Sequence, residues 1–159
     1  MKRNKIKEDF LRQLHPGILV SDQNQVNKFS NNIAFSFQYF DNSQEPSIDF
    51  SDLTNEQLNK IVEKFKHYSR NTFDYWRNQR IGKGNNHVLE IYGEFPRNSD
   101  FFHPKNIPLD VSWARFRLES DLRLIGFIIK NELCKNLNLA KNIFYIVFID
   151  EKHRFYKTS

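Results

Sequence analysis

Cysteine, glycine and proline are scarce in this 159-residue chain, which has one Cys, five Gly and five Pro. The lone thiol, Cys134, excludes an intramolecular disulfide framework, and no CxxC or clustered Cys/His spacing suggests a structural zinc site. A reducing compartment, the cytoplasm, is therefore expected. Long apolar runs are also missing. No segment reaches the ~20 residues of a membrane span, and the basic start Met1, Lys2, Arg3 precedes no apolar stretch of signal-peptide length, so no membrane partner is expected. Further absences remove enzyme classes. His15, His67, His87 and His103 are scattered without ligand spacing such as HExxH, residues 82–84 (Gly-Lys-Gly) lack the rest of a phosphate loop, and no Gly-x-Ser-x-Gly elbow occurs. Neither a metal nor a cofactor is expected.

Aromatic residues are plentiful: 16 Phe, 6 Tyr and 2 Trp. Each buries far more area than an alanine, so one well-formed core is within reach, while the length is too short for two ordinary domains. The net charge is +5 and the pI about 9.3, which favours contact with polyanions. Residues 111–159 hold nine Lys/Arg against five Asp/Glu, so most of the surplus charge lies in the last third of the chain.

Residues 1–31 read as an N-terminal extension: Ile6, Phe10, Leu11 and Leu14 have the spacing of a short amphipathic helix stopped at His15, Pro16 and Gly17, and a polar linker follows at 21–27. Residues 32–159 read as a single domain. Ile33, Phe35, Phe37 and Tyr39 alternate with smaller or polar neighbours, the period of a half-buried strand. Thr54 and Gln57 have capping-box spacing ahead of Leu58, Ile61, Val62 and Phe65, which predicts a helix. A shorter helix is expected from a cap near Thr72 through Phe73 and Trp76, ended by the glycines at 82 and 84. Residues 87–92 suggest a strand, 96–108 a loop, 111–118, 122–129 and 143–149 further strands, and 132–139 an excursion too long for a tight hairpin. The fold class is α+β.

Alternation puts Trp113, Arg115 and Arg117 on one strand face and Ala114, Phe116 and Leu118 on the other. Two guanidinium groups on one face can grip phosphate oxygens, and an aromatic neighbour can stack a base. Equally, that face can be simply solvated, with the arginine stems covering apolar surface. Arg123 sits inside an otherwise apolar run, so it must reach an edge, a ligand or a carboxylate such as Glu119 or Asp121. Near the C-terminus, His153 can exchange a proton near neutral pH, Arg154 can stabilise developing charge and Tyr156 can orient a substrate, with Lys152 and Lys157 as flanking cations. The plain structural reading makes Lys152 and His153 a polar turn tip after the turn-former Asp150.

The order of a helical region, then Arg115-Phe116-Arg117, then Leu122-Arg123-Leu124-Ile125, then the long strand from Phe144 to Ile149 and a basic, Tyr-containing end resembles RelE/ParE-superfamily toxins of bacterial toxin–antitoxin systems. Phe35-Ser36-Phe37, Gly126-Phe127 and His153 through Tyr156 resemble a set of RelE-like proteins more weakly. The resemblance implies helices packed on a twisted, mainly antiparallel sheet and metal-free cleavage of mRNA on the ribosome, with an antitoxin protein as partner. By position it implies a catalytic set of Arg123, His153, Arg154 and Tyr156, with Trp113, Arg115, Arg117, Lys152 and Lys157 binding RNA. The chain departs from the pattern in its N-terminal extension, in an insertion at 82–110 and in lacking a lysine-rich catalytic element. Two other functions fit the same residues: a regulator that binds nucleic acid or an acidic partner without cutting it, and a gyrase-type inhibitor.

Overall fold

The computed structural model describes residues 31–119, 121–130 and 138–157. Residues 32–159 form a compact unit of their own. Its elements are β1 (Ala34–Ser36), a 3-10 turn (Phe50–Asp52), α1 (Asn55–Tyr68), α2 (Phe73–Asn78), β2 (Leu89–Gly93), β3 (Ser112–Arg117), β4 (Arg123–Ile128) and β5 (Ile143–Asp150). The class is α+β. One five-stranded sheet has the order β1-β5-β4-β3-β2; β2 to β5 are antiparallel neighbours, and β1 lies parallel to β5. The expected strand over 33–40 shortens to three residues because the amide of Phe40 turns back to the carbonyl of Phe37. The helix-like pattern at 6–14, the linker at 21–27 and most of the excursion at 132–139 lie outside the described residues.

α1 starts where the sequence places it. Thr54 Oγ1 accepts the Gln57 amide at 3.2 Å while Gln57 Oε1 accepts the Thr54 amide at 2.9 Å, so two otherwise orphaned N–H groups are satisfied reciprocally. Thr72 caps α2 by accepting from the Tyr75 amide. α2 stops at Asn78, ahead of the glycines, and Gly82 instead sits in the following turn at φ +66°. The Trp76 indole N–H donates to the carbonyl of Tyr68 at 2.8 Å, and the Tyr68 hydroxyl donates to the carbonyl of Arg117, which ties both helices to β3.

Both sheet faces bury apolar side chains. On one, Ile61, Tyr68 and Trp76 from the helices meet Leu89, Phe116, Leu124, Phe144 and Ile146. On the other, Trp113, Phe127, Tyr145 and Phe148 lie beneath Phe95, Phe101 and Ile107 of the segment between β2 and β3, joined by Phe155. This second cover shields one end of the strands only. Farther along the same rows, alternation replaces Trp113 by Arg115 and Arg117 on β3, and Phe127 by Ile125 and then Arg123 on β4.

β5 reaches the same end through a bulge. Ile125 pairs with Phe148 and Gly126 with Ile146, which leaves Val147 as an extra residue whose carbonyl accepts the Asp41 amide at 2.8 Å. Gly126 is required beside it: a Cβ there would run into the Tyr145 carbonyl oxygen and the Phe144 ring. Phe144 and Ile146 face the helices, so unbroken alternation would send Phe148 and Asp150 the same way. The added residue instead turns Asp150 onto the face that carries Arg123.

Candidate functional site

At the uncovered end of the second face, Arg115, Arg117, Arg123, His153 and Tyr156 line an open cavity of about 300 Å³ together with Glu90, Tyr92 and Asp150. Cross-strand register builds it. Glu90 faces Arg115, Arg117 faces Arg123, and Arg123 faces Asp150. Arg115 Nη2 donates to Glu90 Oε2 at 2.5 Å. Two arginines directly opposite each other are a repulsive pair. Burial, followed by the charges of Arg117 and Arg115, lowers the pKa of the Arg123 guanidinium below its usual value. An anion bound among the three would relieve that repulsion and match the donor geometry of guanidinium groups. Arg123 is 5% exposed, and its Nη1 donates to the Leu122 carbonyl at 2.9 Å, which fixes the group from behind.

The C-terminal wall is shaped by Asp150. Its Oδ1 accepts the amides of Lys152 and Arg154 at 3.1 and 3.0 Å, and its Oδ2 accepts that of Phe155 at 2.9 Å. The resulting turn holds His153 at φ +55°, with Nε2 3.6 Å from Asp121 Oδ1, an ion pair when the imidazole is protonated. Tyr156 stacks on Tyr92 with ring centroids 4.6 Å apart and planes 4° from parallel. Burial raises the Tyr92 phenol to about 12, with Arg115 pulling the other way. Tyr92 is therefore a neutral platform at physiological pH, and Tyr156, half exposed, is available to a flat partner.

Other expected site residues lie elsewhere. Trp113, expected to stack a base, is 0% exposed beneath Phe95 and beside Phe148, so the aromatic role on this face falls to Tyr92 and Tyr156. Arg154, expected in the catalytic set, is engaged outside the cavity: its Nε meets Asp100 at 3.0 Å and its Nη1 meets Glu45 at 3.0 Å. Lys157 also pairs with Asp100. Lys152 is exposed and does not line the cavity. Glu90, Tyr92 and Asp150 were not anticipated as site residues. Alternation within 87–92 carried a signal for the first two, since it puts Glu90 and Tyr92 on one face.

Among the described residues, no group of three His, Cys, Asp or Glu side chains is placed to hold a metal ion, and no helix is long and apolar enough to cross a membrane. No family model, curated protein or solved structure matches this chain.

Proposed function

We propose that this protein is a metal-independent endoribonuclease of the RelE/ParE toxin type. The observation that carries the reading is the convergence of Arg115, Arg117, Arg123, His153 and Tyr156, from three separated stretches of chain, on one open cavity beside the carboxylate of Glu90. The three guanidinium groups hold the scissile phosphate and stabilise the extra negative charge of the pentacoordinate transition state. Tyr156, backed by Tyr92, stacks the adjoining base. Glu90 accepts the proton of the RNA 2′-hydroxyl as the 2′-oxygen attacks phosphorus. The bond to the 5′-oxygen breaks, and His153, which lines the same cavity, donates a proton to that leaving oxygen. The products are a 2′,3′-cyclic phosphate and a 5′-hydroxyl, and DNA, which has no 2′-hydroxyl, is spared.

The α+β class, with helices packed on a sheet that is antiparallel apart from β1, is compatible with the architecture that the toxin resemblance implies. The same resemblance supplies mRNA on the ribosome as substrate, an antitoxin protein as partner and the cytoplasm as location. The test is incubation of the purified protein with a labelled RNA, with and without EDTA, beside a copy carrying single 2′-deoxy substitutions. Cleavage that resists EDTA, leaves cyclic-phosphate ends and fails only at the deoxy position supports the reading. Intact RNA at stoichiometric protein, both free and as mRNA on translating ribosomes, overturns it and leaves a binding regulator.

A further inference from the structure

The two walls of the cavity are not alike. Glu90 and Tyr92 share one face of β2, two residues apart, so the aromatic platform of Tyr92 and Tyr156 stands beside the carboxylate. His153 stands on the opposite side, in the turn after β5, with β3 and β4 and their three arginines between. At a strand spacing of about 4.8 Å, the backbones of β2 and β5 are roughly 14 Å apart, a gap that side chains from both walls narrow around a phosphate. A nucleotide whose 2′-hydroxyl meets Glu90 therefore has its base within reach of Tyr156. The nucleotide that follows it leaves past His153, whose side chain is 53% exposed. Arg123, tied to the Leu122 carbonyl, and Arg117 opposite it hold the phosphate itself. When the strand breaks, the fragment that ends in the cyclic phosphate keeps the aromatic and the cationic holds, whereas the 5′-hydroxyl fragment has lost the phosphate. Its place beside His153 is then open to water.

We propose that the same site carries a second activity, hydrolysis of an RNA 2′,3′-cyclic phosphate to a 3′-phosphate. The inference rests on the nuclease reading, and it deepens that reading by making the cyclic end a bound intermediate and a substrate in its own right. Strand cleavage leaves Glu90 holding the proton of the 2′-hydroxyl and His153 without the proton it gave away. Hydrolysis uses those two states. His153 takes a proton from water as the water oxygen bonds to phosphorus, the bond from phosphorus to the 2′-oxygen breaks, and Glu90 returns its proton to that oxygen. One water is consumed, the 2′-hydroxyl is restored, and both side chains end as they began. The guanidinium groups stabilise this second pentacoordinate state as they do the first. Because Glu90 lies opposite the incoming water, the 2′-oxygen is the group expelled, and the product is a 3′-phosphate, not a 2′-phosphate. A free water replaces a tethered hydroxyl as nucleophile, so this step is the slower one and cyclic ends accumulate before they convert.

The experiment incubates the purified protein, in EDTA, with a synthetic RNA hexanucleotide that ends in a 2′,3′-cyclic phosphate, and follows its ends by mass spectrometry and by sensitivity to a phosphatase. Conversion to the 3′-phosphate is expected at least about 100-fold faster than in buffer, with Glu90→Gln and His153→Asn each losing about 100-fold. Asparagine tolerates the φ of +55° at position 153, so the turn is kept. Tyr156→Ala is expected to raise the RNA concentration needed for half-maximal rate about tenfold, the contribution of one stacked base. Cyclic ends that persist while uncut RNA is cleaved overturn the second activity and leave the nuclease reading standing. Conversion that survives in Glu90→Gln or His153→Asn, or a 2′-phosphate product, also overturns it, because the two walls would then not act as acid and base. If the parent alters neither the cyclic-ended RNA nor uncut RNA, free or on translating ribosomes, both readings fall together.

Discussion

Arg123 stands directly across from Asp150 in the β4–β5 register, and the single extra residue Val147 puts both on the same face of the sheet. Because Asp150 accepts three backbone amides of the turn that carries His153, the bulge fixes the position of that histidine as well as of the carboxylate.

Asp150→Ala strips the acceptor from three N–H groups of a partly buried turn, and hydrogen bonds to a charged group are among the stronger ones. A loss of about 3 kcal/mol in unfolding free energy is expected, read as a lower urea midpoint, together with loss of RNA cleavage under conditions where the protein is still folded. Asp150→Asn keeps one carbonyl acceptor and should fall between the two. Full stability in the alanine variant would show that the turn is held by other contacts.

The sheet itself was legible in the sequence. Each long strand was visible because its apolar and polar residues alternate or its apolar run is long, and α1 was visible because Thr54 and Gln57 announce its start. Membership of the site was harder to read. Trp113 shares a face with Arg115 and Arg117, as alternation requires, but alternation cannot show that the segment over residues 94–110 covers one end of that face and leaves the other open. Arg154 and His153 are neighbours in sequence, yet the turn made by Asp150 sends one toward Asp100 and the other toward the cavity. The position of Asp150 depends on an extra residue that leaves no trace in a run as uniformly apolar as residues 143–149.

Alkaline pH provides a check on the helix-to-sheet tie. Burial raises the Tyr68 phenol to about 12, against roughly 10 in an unfolded chain. The neutral form is the one that folds, so this contribution is complete below pH 10 and is lost as pH rises toward 12. Tyr68→Phe costs about 1 kcal/mol at pH 7 through the lost bond to the Arg117 carbonyl, but it has no phenol to ionise. Between pH 9 and pH 11 the parent should lose about 1 kcal/mol more than the variant, so their urea midpoints should converge. Parallel curves would place the phenol in contact with water.

Asp100 latches the C-terminal segment from outside the cavity. Its amide donates to the Arg154 carbonyl at 3.0 Å, and its carboxylate binds Arg154 and Lys157, whose hydrogen bonds hold that carboxyl below the usual range. Tyr156 lies between the two cations in sequence, so Asp100→Ala should loosen its stack on Tyr92. Exposed pairs of this kind contribute little to global stability. The expected outcome is a melting temperature within a few degrees of the parent and an RNA affinity about tenfold lower, with the loss confined to RNAs long enough to place a base on Tyr156. An unchanged affinity would show that the Tyr92 contact holds the ring unaided.

Three substitutions separate contact with substrate from support of the fold. Arg117 lines the cavity and is partly exposed, so Arg117→Ala should weaken RNA binding by about 1–2 kcal/mol with little change in unfolding free energy, the cost of removing one charge-assisted phosphate contact. Arg154 points at Asp100 and Glu45, so Arg154→Ala should shift the position of the C-terminal segment without changing the salt dependence of binding, because no phosphate contact is removed. Trp113 is sealed between Phe95, Phe127 and Phe148. Trp113→Ala should cost about 3–5 kcal/mol of stability through the cavity it leaves and should affect RNA binding only by lowering the folded fraction. Urea titrations and salt-dependent anisotropy on the same three proteins give the two coordinates needed. A Trp113→Ala protein that remains fully folded yet fails to bind RNA would return the tryptophan to the binding surface and displace Tyr156 from that role.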